Sequence, residues 1–512
     1  MSPLKNQVGS AMVWSVVARG GRFALGILSS VIVVRSLGAH DYGVLSVVRN
    51  ILLFTVIFAG AGLGQACLKF LPALRVARDG TGAARLVRTA LSVSLLVWAA
   101  LVVSAYLGRH AIESLFPYEG LGLILALAVS LSLFEVFFAL TARILEANYD
   151  TRRLSLMSLV SHGVFICALL VVLPRGWGVA GVIAAAAAGH AVASIVLIAR
   201  VKSNVLRSGE PGEVNAVDAV GAGISFKRLA RYSLPLVLVG VLVQVVWRQS
   251  ETLFLAHFRS AEEAGFFDLA YRLPQTMLEF VPTAVWPLVM AGFSEVYARD
   301  ASRLRIAIDR YYRMLFLLIT PICVTGIVLG GRMLTVLYTD AYLPAAIPTQ
   351  LFFAVFTLSF FGTPLSMTLY VLEKTHVILI VYICLAAVNV GLDLLLIPRY
   401  GVTGAMVPVA LVTAASPFVY RALVRRYVDG VRIPLVFIGK TFLASGSVVL
   451  LAPFTRFITG WLELAVAFFA AAVLVILGYK WVRVVGRKEM DMLGAVPVPL
   501  ANRLLKFIAA SQ

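Results

Sequence analysis

Charge is what this sequence has least of. Only 13% of its 512 residues are charged, and acid is the scarcer sign, with 25 Asp and Glu against 44 Lys and Arg. A soluble globular chain carries about 25% charged residues. With 61% hydrophobic residues as well, the composition excludes a soluble enzyme or binding domain and leaves a polytopic membrane protein. Cysteine is nearly as rare. Cys67, Cys167, Cys323 and Cys384 stand alone inside apolar runs, which excludes a disulfide framework and paired metal-ligand spacing. A nucleotide site is missing too: Gly439-Lys440-Thr441 ends like a phosphate-binding loop, but Pro434 stands where that motif needs glycine, and no strand-to-helix turn is expected there. No Ser/His/Asp constellation is present. The sequence therefore assigns no catalytic residue, no metal and no cofactor, and the protein is not expected to be an enzyme. Only Lys5 precedes the first apolar run, and no cleavage site follows it, so that run reads as an uncleaved first span.

What is there is a series of apolar runs of bilayer length. They lie near residues 11–34, 44–68, 90–108, 120–145, 156–173, 179–199, 232–256, 265–291, 312–330, 349–372, 377–397, 403–423, 434–454 and 461–479. The expectation is an all-α polytopic membrane protein of about fourteen transmembrane helices. Lys and Arg divide roughly 31 to 7 between the two alternating sets of loops and termini. This bias places both termini in the cytoplasm. It also accounts for most of the formal net charge of +19, so no nucleic-acid partner is needed.

The two halves resemble each other. Gly178-Val179-Ala180-Gly181 after Pro174-Arg175 is matched by Gly401-Val402-Thr403-Gly404 after Pro398-Arg399. His40-Asp41-Tyr42-Gly43 is matched by Glu262-Glu263-Ala264-Gly265 at nearly the same offset of about 223 residues. Such parallel duplication is a transporter plan with the substrate site between the halves. It predicts two pseudo-symmetric six-helix lobes, 1–200 and 232–424, joined by a flexible connector at 201–231. Two extra helices follow in 425–480, then a basic cytoplasmic tail, 481–512, which either lies on the anionic leaflet or touches a synthase.

Six basic residues fall inside the spans: Arg19, Arg22, Arg49, Arg248, Arg272 and Lys440. Under the repeat, five of them lie on helices one, two, seven and eight. An arginine near mid-membrane costs about 2.5–3.5 kcal/mol even on insertion scales, and its planar fork suits phosphate. Arg19, Arg22, Arg49 and Arg248 are therefore the candidate substrate-binding residues of a cavity for a diphosphate or similar polyanion. Bland readings stand beside this one. Arg19, Arg22 and Arg49 can snorkel, and Arg248 can pair with Glu251 one turn on. Arg272 is expected to pair with Asp268 at the outer edge, and Lys440 to snorkel. Glu251, Glu135, Glu279 and Asp393 are the candidates for carrying a coupling proton or sodium ion. His162 and His190 read as packed histidines with one hydrogen bond each. Gly60-Ala61-Gly62-Leu63-Gly64 permits close packing or a bend, packing being the preferred reading.

Three stretches carry a family likeness: Val34-Arg35-Ser36-Leu37-Gly38-Ala39-His40-Asp41-Tyr42-Gly43, Ala59-Gly60-Ala61-Gly62-Leu63-Gly64 and Leu337-Tyr338-Thr339-Asp340-Ala341-Tyr342. With them the chain resembles the polysaccharide-transporter (Wzx-like flippase) family of the multidrug/oligosaccharidyl-lipid/polysaccharide (MOP) superfamily. The resemblance implies a MATE-like V of two six-helix lobes with two added helices. It also implies alternating access that carries an undecaprenyl-diphosphate-linked oligosaccharide (an O-antigen, capsule or exopolysaccharide unit) across the bacterial inner membrane. Lipid-linked oligosaccharide, membrane lipids and a polysaccharide polymerase or other pathway protein are the implied partners. Two alternatives stay open: a multidrug or small-molecule cation antiporter of the same superfamily, and a membrane glycosyltransferase or polymerase. The first calls for an acidic cavity, the second for a large outer loop or an acidic catalytic pair.

Overall fold

The computed structural model describes residues 3–76, 79–116, 118–148, 150–201, 226–247 and 250–486. Most of the connector and of the basic tail lies outside them. The described residues form seventeen α-helices and no strand. In chain order these are α1 Pro3–Gly60, α2 Leu63–Val76, α3 Gly80–Leu107, α4 Arg109–Leu115, α5 Leu121–Leu131, α6 Leu133–Ala147, α7 Thr151–Val172, α8 Gly178–Val201 and α9 Phe226–Trp247. They continue with α10 Glu251–Phe258, α11 Ala261–Arg299, α12 Leu304–Leu337, α13 Ala346–Ser359, α14 Thr363–Val371, α15 Thr375–Val424, α16 Leu435–Ser445 and α17 Trp461–Val482.

Among the described residues, eleven helical stretches are long and apolar enough to cross a membrane. Two of these are double. α1 folds at Gly38 (φ 76, ψ 175) and α15 at Gly401 (φ 54, ψ −132). A side chain in that backbone region costs about 1–3 kcal/mol, so glycine is needed at both folds. α11 also has the length to cross, 39 residues, although it is more charged. Counting the folded helices twice and adding α11 gives the fourteen spans that hydropathy predicts. Gly401→Ala is expected to lower the thermal midpoint of the detergent-solubilised protein, whereas Gly391→Ala, in the same helix with open space around it, is expected to leave it unchanged or raise it.

The same matched motif does one job in both halves. In Gly178-Val179-Ala180-Gly181 and Gly401-Val402-Thr403-Gly404 the first glycine has positive φ and opens the second arm of a helical pair. The fourth packs too closely for a side chain, Gly181 on Trp177 and Gly404 on the Leu396 carbonyl. The repeat is thus a repeat of turn chemistry. The Gly60–Gly64 stretch both bends and packs, where packing alone was preferred: the helix breaks at Ala61 (φ 46) and Gly62 (φ 68), Gly62 lies against the Ser233 backbone, and Gly64 lies against Arg143.

Two further expected spans are interrupted among the described residues: the fourth breaks at Ser132 between α5 and α6, and the tenth at Phe360–Gly362 between α13 and α14. A break frees backbone groups that lipid cannot satisfy, so such breaks belong where protein or water lines them.

By contact the chain divides into two compact units, Met1–Gly265 and Phe266–Gln512. The first thus includes α9 and α10. One of its cores joins α2, α3 and α6 through Cys67, Phe70, Leu71, Leu86, Val87 and Ile144. In the second unit α12 packs on α16 and α17 around Leu317, Val448 and Val475. Tyr479 ties this core together: its hydroxyl donates to the Leu317 carbonyl at 2.8 Å.

Candidate functional site

In the first unit, Arg49 is the best-placed of the predicted cations. The second arm of α1 starts at the Gly38 fold, eleven residues before Arg49. At 1.5 Å per residue that is about 16 Å of helix, near the middle of the arm that ends at Gly60. Arg49 is half-buried, and across the helix packing it lies within electrostatic reach of Glu135 on α6. The sequence separation of this pair carries no helical signal, which is why sequence reasoning listed both residues without joining them. Arg22 is exposed on the first arm of α1. Arg248 lies outside the described residues, as does the side chain of Arg19.

Glu251 is almost fully buried and is the first residue of α10. His162 and His190 share the interior of this unit. His162 pairs through Nδ1 with the Ser158 carbonyl at 2.9 Å, the single local bond expected of a packed histidine, and His190 lies against the Phe138 ring.

In the second unit the predicted acids are held by neighbours. Gln275 donates to Glu279 at 3.1 Å. Asp393 is completely buried and accepts from Asn389 Nδ2 at 3.3 Å. That i, i+4 partner is visible in the sequence, where Asp393 was weighed alone. Asp268 and Arg272 form the expected ion pair, with Nη2 to Oδ1 at 2.9 Å and Nε to Oδ2 at 3.2 Å. A chain of three hydrogen-bonded tyrosines, Tyr370, Tyr382 and Tyr420, joins α14 to both arms of α15. No sequence spacing announces it. Lys440 is exposed on α16.

The first unit also holds a cleft that sequence reasoning did not single out. It lies where α1 folds, beside the turns preceding α5 and α8, and has a volume of about 380 Å³. His40, Asp41, Tyr118, Glu119 and Trp177 line it. The Tyr118 hydroxyl donates to the Ala256 carbonyl of α10 at 2.8 Å. Burial and the nearby Glu262 carboxylate push that phenol up to about 12, so it stays a neutral donor. The clue in the sequence was the family-like loop itself, whose His40 and Asp41 project beside Gly38.

The family model described as polysaccharide biosynthesis protein matches residues 32–347. Comparison with the curated proteins gives no match. Among solved structures, the fold is similar to that of the lipid II flippase MurJ in an inward closed conformation. The TM-score is 0.67 at 14% identity, over 91% of this chain and 98% of that one. It is also similar to an inward-facing multidrug resistance transporter of the MATE family, MOP superfamily, with TM-score 0.64, 17% identity and coverage of 81% and 98%. A third likeness is to a MOP superfamily transporter from Pyrococcus furiosus, described as having a binding pocket of reverse polarity that suggests a different function. There the TM-score is 0.57 at 17% identity, with coverage of 82% and 96%. At these identities the likeness establishes the fold, an all-α multi-pass membrane architecture, and function has to be argued from the site.

Proposed function

The chain belongs to the polysaccharide biosynthesis protein family, and from that premise we propose that it is a flippase for a lipid-linked oligosaccharide. The cargo has a lipid tail that stays in the bilayer, a diphosphate, and a glycan head group. Alternating access between lobes 1–200 and 232–424 carries the head group across the bacterial cytoplasmic membrane, with both termini on the cytoplasmic side. A proton or sodium gradient drives the cycle through one or more of Glu135, Glu251, Glu279 and Asp393. A polysaccharide polymerase or another pathway protein receives the product.

The observation that carries this reading is Arg49, half-buried on the second arm of α1 and within electrostatic reach of Glu135. A guanidinium in a partly low-dielectric site binds a diphosphate through paired, charge-assisted hydrogen bonds. Glu135 then has a defined role: it is the counter-ion of Arg49 when cargo is absent and gives way when the diphosphate arrives. Arg19, Arg22 and Arg248 are the further candidates for meeting the diphosphate. An exporter of organic cations is disfavoured by the same residue, because an arginine at the site repels its substrate.

The test is leaflet exchange of a fluorescent undecaprenyl-diphosphate oligosaccharide in proteoliposomes, with and without imposed proton or sodium gradients. Exchange that depends on the protein is the expected result. Failure of exchange under every gradient, together with export of an organic cation by the same preparation, would overturn the reading in favour of the antiporter.

A further inference from the structure

Beyond the diphosphate, the cleft at the fold of α1 has a chemistry of its own. Its volume of about 380 Å³ falls within the range of small-molecule sites, about 300–1,000 Å³. Its lining includes apolar Val44 and Val179 and two carboxylates, Asp41 and Glu119, with no lysine or arginine. In a chain of net charge +19 that is the reverse of the Arg49 site, and it excludes a diphosphate.

Two aromatic rings border the space. Trp177 stands between Gly176 (φ 75) and Gly178 (φ 52), a turn that presents its side chain outward, 57% exposed. The Tyr118 ring is fixed by its hydrogen bond to Ala256 and by the edge of the His40 imidazole, centroids 6.0 Å apart. His40 in turn lies 3.3 Å from the Asp41 carboxylate. An exposed tryptophan near a helix end is often only a membrane-interface anchor. An anchor has no use for a concave wall with two carboxylates facing the same space. Rings that stack on a flat C–H face, beside carboxylates that accept hydrogen bonds from hydroxyls, are complementary to a pyranose.

We propose that this cleft is a saccharide-binding site that holds one or two sugar residues of the cargo glycan at the folded end of α1. The inference rests on the flippase reading for the identity of its ligand, not for the chemistry of the cleft. It also gives the occupant a mechanical connection. Tyr118 is bonded to Ala256 on α10, and His257 of the same helix pairs with the Leu115 carbonyl at 2.5 Å. A sugar seated in the cleft therefore bears on the short helix that begins with Glu251.

The experiment uses the full chain in labelled lipid nanodiscs, applied to an array of lipid-free bacterial repeat-unit oligosaccharides. The wild type is expected to bind at least one glycan. Trp177→Ala and the double variant Asp41→Asn/Glu119→Gln are each expected to weaken that binding about tenfold, a change of about 1.4 kcal/mol. Trp177→Phe should retain most of it. Trp481→Ala, which removes an even more exposed tryptophan from α17, should retain all of it. Equal binding by the cleft variants, or no glycan retained by the wild type, would overturn the proposal. Leaflet exchange measured on the same preparations separates the two readings. Exchange without cleft-dependent glycan binding removes the cleft alone, and cleft-dependent binding without exchange removes the flippase alone.

Discussion

Alanine at position 49 is expected to slow leaflet exchange of a diphosphate-linked glycan by roughly 30-fold or more. A hydrogen bond to a charged group contributes about 1.5–3 kcal/mol. Arg49 is half-buried, which puts it near the low end, and about 2 kcal/mol corresponds to roughly 30-fold. A loss of that size has two possible causes: the diphosphate has lost its guanidinium, or Glu135 has lost its counter-ion. A double-mutant cycle separates them. If Arg49 serves only to neutralise Glu135, then Arg49→Gln/Glu135→Gln restores exchange to near the wild-type rate. If Arg49 meets the cargo, the double variant is as slow as Arg49→Gln alone, while Glu135→Gln by itself changes the gradient dependence more than the rate. Arg49→Lys is expected to recover only part of the loss, because an ammonium keeps the charge and loses the two-pronged geometry. Full recovery by the double variant would remove Arg49 from the cargo site.

Much of the fold was legible because the bilayer is a demanding solvent. Length and apolarity alone locate the spans, and even α11, which carries Asp268, Arg272 and Glu279 inside it, is found by its length. The repeat was legible for a similar reason. Gly178/Gly181 and Gly401/Gly404 are irreplaceable at their turns, so the same residues stand in both halves. The interruptions were not legible. Ser132 and Phe360–Gly362 lie within apolar runs, and hydropathy sums over a window without regard to continuity of the helix. The predicted site was legible only as a set of residue types. Arg49 was marked because charge in an apolar run is costly, but its partner Glu135 is brought to it by packing of α6 against α1, which no spacing encodes. The Asn389–Asp393 pair could have been read from its i, i+4 separation. The cleft could not, since His40, Tyr118 and Trp177 come from three separate connections and each looks like an ordinary loop residue alone.

Valine at position 43 is expected to have the largest conformational effect of any single glycine replacement in the first unit. A Cβ on Gly43 would run into the carbonyl oxygen of Ala261 and lie 3.1 Å from its Cα. The obstacle is backbone, so no rotamer relieves it, and overpacking of this kind costs about 1–3 kcal/mol or more. The contact is mutual: a Cβ on Gly265 would lie 3.1 Å from the Gly43 Cα. Gly43 and Gly265 are also the residues matched by the sequence repeat, so the two equivalent helix starts bear on each other at bare backbone. Separating them opens the start of α11 away from the second arm of α1. With Cys167 and Cys384, the two exposed cysteines, replaced by serine, spin labels at Ala39→Cys and Glu262→Cys report this as a distance. Gly43→Val is expected to shift the distribution to longer separations and to slow leaflet exchange. Gly265→Ala should do so less, since its nearest atoms have to give by only a few tenths of an ångström. Gly26→Ala, with nothing within 4 Å, should do neither and is expected to stabilise its helix by up to about 1 kcal/mol. The ordering matters more than any one value. If Gly26→Ala widened the distance as much as Gly43→Val, the effect would be general destabilisation. An unchanged distance in Gly43→Val would mean that this backbone contact does not limit the approach of the two helix starts.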